Sequence, residues 1–300
     1  MFWNKQVSTK TRVMRRILFI FSVVLLFTSC GRDVLTTDPE PVPNATQPVA
    51  YPDFAFGTHN LQKMDIFLPG GRTVNTTKTM VVIHGGAWMD GDKSEMTYVV
   101  DSLKRRLPGF AFINLNYRLA SDGLSNLFPA QETDVKTAIE SYLAKSATYS
   151  VSKDIVILGA SAGAHLALLH SYKNDPGKHV KTVIDFFGPT DLVAIWNEGF
   201  LPQLALMAVT GKTYTQDPAI YTQSSPVNFI TAQSPPTIVL QGGMDDIVLP
   251  EQSNLLIAKL NTKGVSNQLV LYPGEGHGFS TANNIDAMLK SIAFIAKYVK

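Results

Sequence analysis

From residue 53 onward, short apolar runs alternate with stretches of helical periodicity, and that alternation leaves few architectures open. Met80 to His84, Phe110 to Leu115, Ile155 to Leu158, Val180 to Phe187, Thr237 to Gln241 and Gln268 to Tyr272 read as strands. Such runs suit strands covered on both faces, as in a parallel sheet. In the last segment Ile285, Met288, Leu289, Ile292, Ile295 and Val299 recur every three or four residues along one face, and Glu132 to Ala144 and Glu251 to Leu260 read similarly. Strand, helix, strand in regular order implies right-handed crossovers, so the expected class is α/β: one mostly parallel central sheet with helices on both faces. A chain of 300 residues with 45% apolar content can bury the single large core this requires. No internal repeat is visible at any fixed period.

The first thirty residues obey a different logic. A basic stretch with Lys10, Arg12, Arg15 and Arg16 runs into apolar Ile17 to Phe27 and then Thr28-Ser29-Cys30-Gly31, the layout of a removable signal peptide over residues 1–29. The apolar run falls short of the about 20 residues a membrane span needs. Cys30 is the only cysteine, so no intramolecular disulfide can form, and the segment Leu25 to Cys30 resembles the lipobox of bacterial lipoproteins, with Phe27 where leucine is usual. That resemblance implies a lipid on Cys30 and an exported protein anchored to a bacterial membrane, on its periplasmic or cell-surface face. Between Asp33 and Pro52, prolines, threonines and acidic residues dominate, so residues 30–55 are expected to form a flexible tether and 56–300 the catalytic domain. Without the signal, 21 basic residues face 24 acidic ones, a formal charge of −3. Nothing in that balance resembles a nucleic-acid footprint, and nucleic acid is dropped as a partner.

Four short motifs carry chemistry. Gly159-Ala160-Ser161-Ala162-Gly163 follows one expected strand and precedes a helical run, the context in which a tight turn lifts a serine hydroxyl clear of a sheet. His84-Gly85-Gly86-Ala87-Trp88 ends an earlier strand, where glycines leave backbone N–H groups free to meet a developing oxyanion. Gly86 and Ala87 are the expected donors, joined by Ala162, and His84 is expected to prop the loop. Gly274-Glu275-Gly276-His277-Gly278-Phe279 places a histidine on a loop at a strand's C-terminal end, where α/β folds carry function. The other histidines, His59, His165, His170 and His179, read as structural or exposed. Finally, Gly242-Gly243-Met244-Asp245-Asp246-Ile247-Val248 offers two adjacent carboxylates between serine and histidine in chain order.

Together these residues resemble the α/β-hydrolase superfamily over about residues 57–300, near the hormone-sensitive-lipase-like esterases and the bacterial carbohydrate-esterase and kynurenine-formamidase relatives. Asn116-Tyr117-Arg118-Leu119 and Phe128-Pro129-Ala130-Gln131 with Asp134-Val135 resemble further landmarks of that family. Two positions depart: Ala87 stands where the lipase-like branch has a third glycine, and Gln241 where a histidine often precedes the acid loop. The resemblance implies a serine hydrolase of small carboxylic esters, including acyl groups on carbohydrates, with Ser161 as nucleophile, His277 as base and Asp245 as the acid, chosen because Gly242 and Val248 flank it at the family spacing. It implies neither a cofactor nor a metal. A formamidase or peptidase using the same residues is the alternative, and a non-catalytic binding protein on the same fold a third. The stretch Asp191 to Ala232, with Trp196, Phe200, Leu201, Leu204, Leu206 and Met207, is too long for a simple connection and is expected to form a small cap. Trp88 is expected to line the substrate pocket with it.

Overall fold

The computed structural model describes residues 43–120 and 125–300. The expected signal peptide, Cys30 and the expected tether up to residue 42 lie outside the described residues. Eight strands make one sheet: β1 (Val49–Ala55), β2 (Lys63–Leu68), β3 (Thr79–Ile83), β4 (Ala111–Leu115), β5 (Ile155–Ala160), β6 (Val180–Phe186), β7 (Thr237–Gly242) and β8 (Asn267–Tyr272), in the order β1-β2-β4-β3-β5-β6-β7-β8. β1, β2 and β4 pair antiparallel, and every pairing from β4 to β8 is parallel. The helices are α1 (Thr97–Arg106), α2 (Ala130–Ala144), the single turn α3 (Ser146–Tyr149), α4 (Ala162–Lys173), α5 (Leu192–Trp196), α6 (Phe200–Thr210), α7 (Pro218–Gln223), α8 (Pro250–Thr262) and α9 (Thr281–Tyr298).

Alternate residues of the central strands feed two cores. From β3, Val81 and Ile83 face the layer that includes Val135 and Ile139 of α2, Leu166 of α4 and Leu256 of α8. Met80 and Val82 face the layer containing Val100 and Leu103 of α1 and Met288 and Phe294 of α9. This is the two-sided sheet expected from the apolar runs. All six expected strands are present within a residue or two of their expected bounds.

The expected tether is corrected at its C-terminal end. Residues 49–55 are not a flexible linker but the edge strand β1, with Val49, Tyr51 and Phe54 packed against the core. Proline content misleads here because Pro52 sits where the β1–β2 register shifts between Tyr51 and Phe54, and a bulged edge strand tolerates a residue that donates no hydrogen bond.

The 191–232 insertion between β6 and β7 folds into α5, α6, α7 and a 3₁₀ turn, Pro226–Phe229. Its aromatic residues Trp196 and Tyr221 meet edge to face, while Leu206 and Val209 are buried. Phe200, Leu201 and Leu204 are exposed.

Sheet register assembles the functional loops at one edge. Ile83 pairs with Gly159, so the loop after β3 and the turn after β5 leave the sheet side by side. Gly242 pairs with Tyr272, which does the same for the loops after β7 and β8.

Candidate active site

Ser161 stands between β5 and α4 at φ 53°, ψ −123°, a conformation that costs a non-glycine residue about 1–3 kcal/mol unless its surroundings enforce it. Close backbone packing, for which the flanking glycines leave room, does so. A Cβ on Gly159 would lie 2.3 Å from the Gly163 carbonyl oxygen, and one on Gly163 would lie 2.3 Å from the carbonyl oxygens of Ile83 and His84. Ser161 occupies the N-cap of α4, where a serine usually bonds the first turn, yet its hydroxyl makes no such bond. Ser161 Oγ instead donates to His277 Nε2 at 2.9 Å.

His277 Nδ1 donates to Asp245 Oδ2 at 2.9 Å. The other carboxylate oxygen, Oδ1, accepts from the backbone N–H groups of Ile247 (3.0 Å) and Val248 (2.9 Å). Burial alone would push the Asp245 carboxyl upward, but the bonds from His277, Val248 and Ile247 outweigh it and hold the group below the usual aspartate value. Asp245 is 3% exposed, whereas Asp246 faces solvent. Successive side chains diverge, and only Asp245 turns toward the imidazole. Phe187, following β6, packs its ring 4.7 Å from that of His277.

The loop after β3 lies against this turn. A Cβ on Gly85 would come within 3.3 Å of Ser161 Cβ, and residues 86, 87 and 88 all adopt positive φ (102°, 50° and 62°). Among the described residues, the N–H groups of Gly86 and Ala87 donate to no protein acceptor. Ala162 N–H, first in α4, has no intrahelical partner and stands at the positive end of the helix dipole. His84 props the loop as expected: it is buried, stacks on Tyr117 at 4.4 Å and donates from Nδ1 to Gly85 O. The Tyr117 hydroxyl donates to the His84 and Gly85 carbonyls.

Trp88 departs from expectation. It does not present its ring to a substrate pocket; it is 6% exposed and packs on His165 and the core. Its indole N–H donates to His165 Nδ1 (3.1 Å), and His165 Nε2 donates to the Ser224 carbonyl (2.7 Å). Burial lowers His165 to about 4, so the ring is neutral and can accept on one nitrogen while donating from the other. A large aromatic residue beside a glycine loop looks like a pocket wall in sequence. Here its polar edge finds a buried acceptor, which turns the ring inward.

Gln241, which stands where the resemblance has a histidine, supports Asp245. Its Nε2 donates to Asp245 Oδ2 (3.1 Å) and its Oε1 accepts from Ser253 (2.8 Å). Arg118 and buried Asp134 form a bidentate ion pair fixing the chain after β4 against α2, which accounts structurally for two of the sequence landmarks. Replacing Gln241 by leucine removes one donor from the Asp245 carboxylate, so its folded pKa is expected to rise toward the unfolded value. A depressed carboxyl contributes stability above its unfolded pKa and loses it as pH falls through its folded pKa. The stability difference between neutral pH and about pH 3 should therefore shrink in Gln241→Leu. Urea unfolding of both proteins at the two pH values reads this directly, and an unchanged difference would contradict it.

The strand order, the strained turn at Ser161 and the chain order serine, aspartate, histidine are those of an α/β-hydrolase. Residues 64–260 match the BD-FAE family, and the chain belongs to that family. Esterase LipC of Mycobacterium tuberculosis (strain ATCC 25618 / H37Rv) is 26% identical over 245 residues, 75% of this chain and 58% of LipC. The probable carboxylic ester hydrolase LipM of the same organism is 29% identical over 263 residues, 82% of this chain and 58% of LipM. The chain thus spans little more than half the length of these relatives. Among solved structures, a bifunctional GH43-CE protein of Bacteroides eggerthii superposes with TM-score 0.73 at 26% identity, covering 84% of this chain and 38% of that one. A truncated carbohydrate esterase from gut microbiota gives TM-score 0.69 at 24% identity, covering 85% and 99%.

Proposed function

We propose that this protein is a serine hydrolase of small carboxylic esters, acting on acyl groups carried by carbohydrates. The observation that carries this reading is the unbroken hydrogen-bonded run from Ser161 through His277 to Asp245. Ser161 Oγ attacks the ester carbonyl carbon while His277 Nε2 takes the hydroxyl proton, and Asp245 stabilises the resulting imidazolium. The tetrahedral oxyanion faces the N–H groups of Gly86, Ala87 and Ala162; one such donor is worth about 2.7–4 kcal/mol of barrier where it has been removed in other enzymes. On collapse, the carbonyl re-forms, the alcohol leaves with the proton from His277, and a water deprotonated by the same nitrogen attacks the acyl-enzyme. The second collapse frees the carboxylic acid and returns the proton to Ser161.

The esterases among the relatives and the carbohydrate esterase among the structural neighbours support the ester and carbohydrate parts of the reading. The test is a parallel hydrolysis screen on short p-nitrophenyl esters, acetylated xylan and N-formylkynurenine. Turnover of the nitrophenyl esters and release of acetate from xylan are expected. Turnover of the formamide alone would replace the ester reading with amide hydrolysis.

We also propose that Cys30 carries the lipid anchor of an exported protein, on the strength of the basic, apolar and small-residue order before it. Cys30→Ser is expected to abolish incorporation of a fatty-acid probe, since only a thiol accepts the diacylglyceryl group. Equal labelling of variant and wild type would overturn it.

A further inference from the structure

Helices α1 and α9 cover the same face of the sheet but leave a cleft of about 420 Å³ between them. Its floor is Leu158 and Ala160 of β5 with Phe186 and Phe187 of β6 and the loop beyond. Val99 of α1 and Ile285 and Met288 of α9 form apolar walls. The inner end lies beside the site described above: Ala160 immediately precedes Ser161, and Phe187 packs on the His277 ring. Both helices start at the edge of the sheet that carries the reactive loops.

Its charge is one-sided. Arg105 and Arg106, in the last turn of α1, line it, and no carboxylate does. Arginine side chains on a helix lean toward its N-terminus, and Arg106 does so, donating from Nη1 to Ser102 Oγ (2.6 Å) and to the Ser102 carbonyl. Neither arginine is ion-paired among the described residues. Two cations at the end of an apolar slot match an apolar body that ends in an anion, because the slot takes the body while the guanidinium forks take the carboxylate.

We propose that the cleft between α1 and α9 holds the non-reacting arm of the ester, and that this arm is apolar and ends in a carboxylate. This rests on the ester-hydrolase reading, whose site the cleft adjoins. Two matched pairs test it: p-nitrophenyl hexanoate against p-nitrophenyl hydrogen adipate for the acyl arm, and hexyl acetate against 6-acetoxyhexanoate for the alcohol arm. In one pair the anionic ester should have the higher kcat/KM by about tenfold, a difference of about 1.4 kcal/mol. That ratio should fall toward one in the Arg105→Gln/Arg106→Gln double variant. In wild type it should also fall as ionic strength rises from about 0.01 M to 1 M, where the screening length drops from about 30 Å to 3 Å. The salt arm needs no variant, so a misfolded mutant cannot hide the answer. Absence of preference for the anion in both pairs, or a preference that survives the double substitution, overturns the proposal. Should wild type turn over none of the four esters, the ester-hydrolase reading fails. Calorimetric titration of Ser161→Ala with 6-acetoxyhexanoate and hexyl acetate then decides the cleft, with tighter binding of the anion supporting it and equal or absent binding overturning it.

Discussion

Ser161→Ala is expected to lower kcat for p-nitrophenyl acetate by at least about 10³-fold, because alanine removes both the attacking oxygen and the proton that His277 accepts. The fold should be unaffected. The Ser161 hydroxyl bonds His277 and makes no cap bond to α4, so its loss leaves no buried partner unsatisfied, and His277 keeps Asp245. The strained turn also survives, since the close backbone packing around it depends on the bare positions 159 and 163 and not on the serine side chain. Residual hydrolysis above water would come from the backbone N–H donors. Steady-state kinetics with a circular dichroism melt checks both halves, and retention of more than about a tenth of wild-type kcat would remove Ser161 from the mechanism.

The second large effect is expected at Asp245→Asn, and its direction follows from which groups surround each carboxylate oxygen. Oδ1 accepts two backbone N–H bonds, from Ile247 and Val248, so an asparagine would place its carbonyl oxygen there. Its NH₂ group would then occupy the Oδ2 position, facing His277 Nδ1 and the Gln241 amide, both donors in the native arrangement. The imidazole would have to accept at Nδ1 and carry its proton on Nε2, where it could no longer take one from Ser161. Loss of about 10⁴-fold in kcat is expected, the size such a change has in a serine protease. Asp246→Asn, altering a solvent-facing neighbour, should cost less than about tenfold, or about 1.4 kcal/mol of barrier. Measuring the two variants side by side settles the acid, and the reverse order of effects would move that role to Asp246.

Much of this arrangement was legible in the sequence where local signals agreed. Five of the six apolar runs became strands buried on both faces, β8 at the sheet edge keeping Gln268 and Leu271 exposed, and Ser161, Asp245 and His277 meet because the loops after β5, β7 and β8 leave the same edge of the sheet. Legibility failed where structure depends on partners distant in the chain. β1 carries a proline at a bulge and looks like linker until β2 is placed beside it. β2 alternates buried and partly exposed residues over only six positions, too short a period to stand out. α1 does carry an amphipathic pattern, burying Val100 and Leu103 and ending in three consecutive basic residues, but its ten residues fall short of the window of about 11–18 over which helical periodicity stands out. The supporting role of Gln241 depends on the approach of Asp245 four residues later and of Ser253 from α8, and Trp88 turns inward because of a histidine 77 residues away.

The relay from Trp88 through His165 to Ser224 has a consequence for how such a protein can diversify. The 191–232 insertion between β6 and β7 has the look of a detachable module. Yet its Ser224 carbonyl holds the imidazole that in turn holds the loop bearing Gly86 and Ala87. A graft that shifts residue 224 would leave a buried histidine N–H without its acceptor, a loss of about 1–3 kcal/mol, and would slacken the tryptophan beyond it. Variation in the insertion and variation in the glycine loop are therefore expected to be epistatic, and chimeras should carry both segments from the same parent.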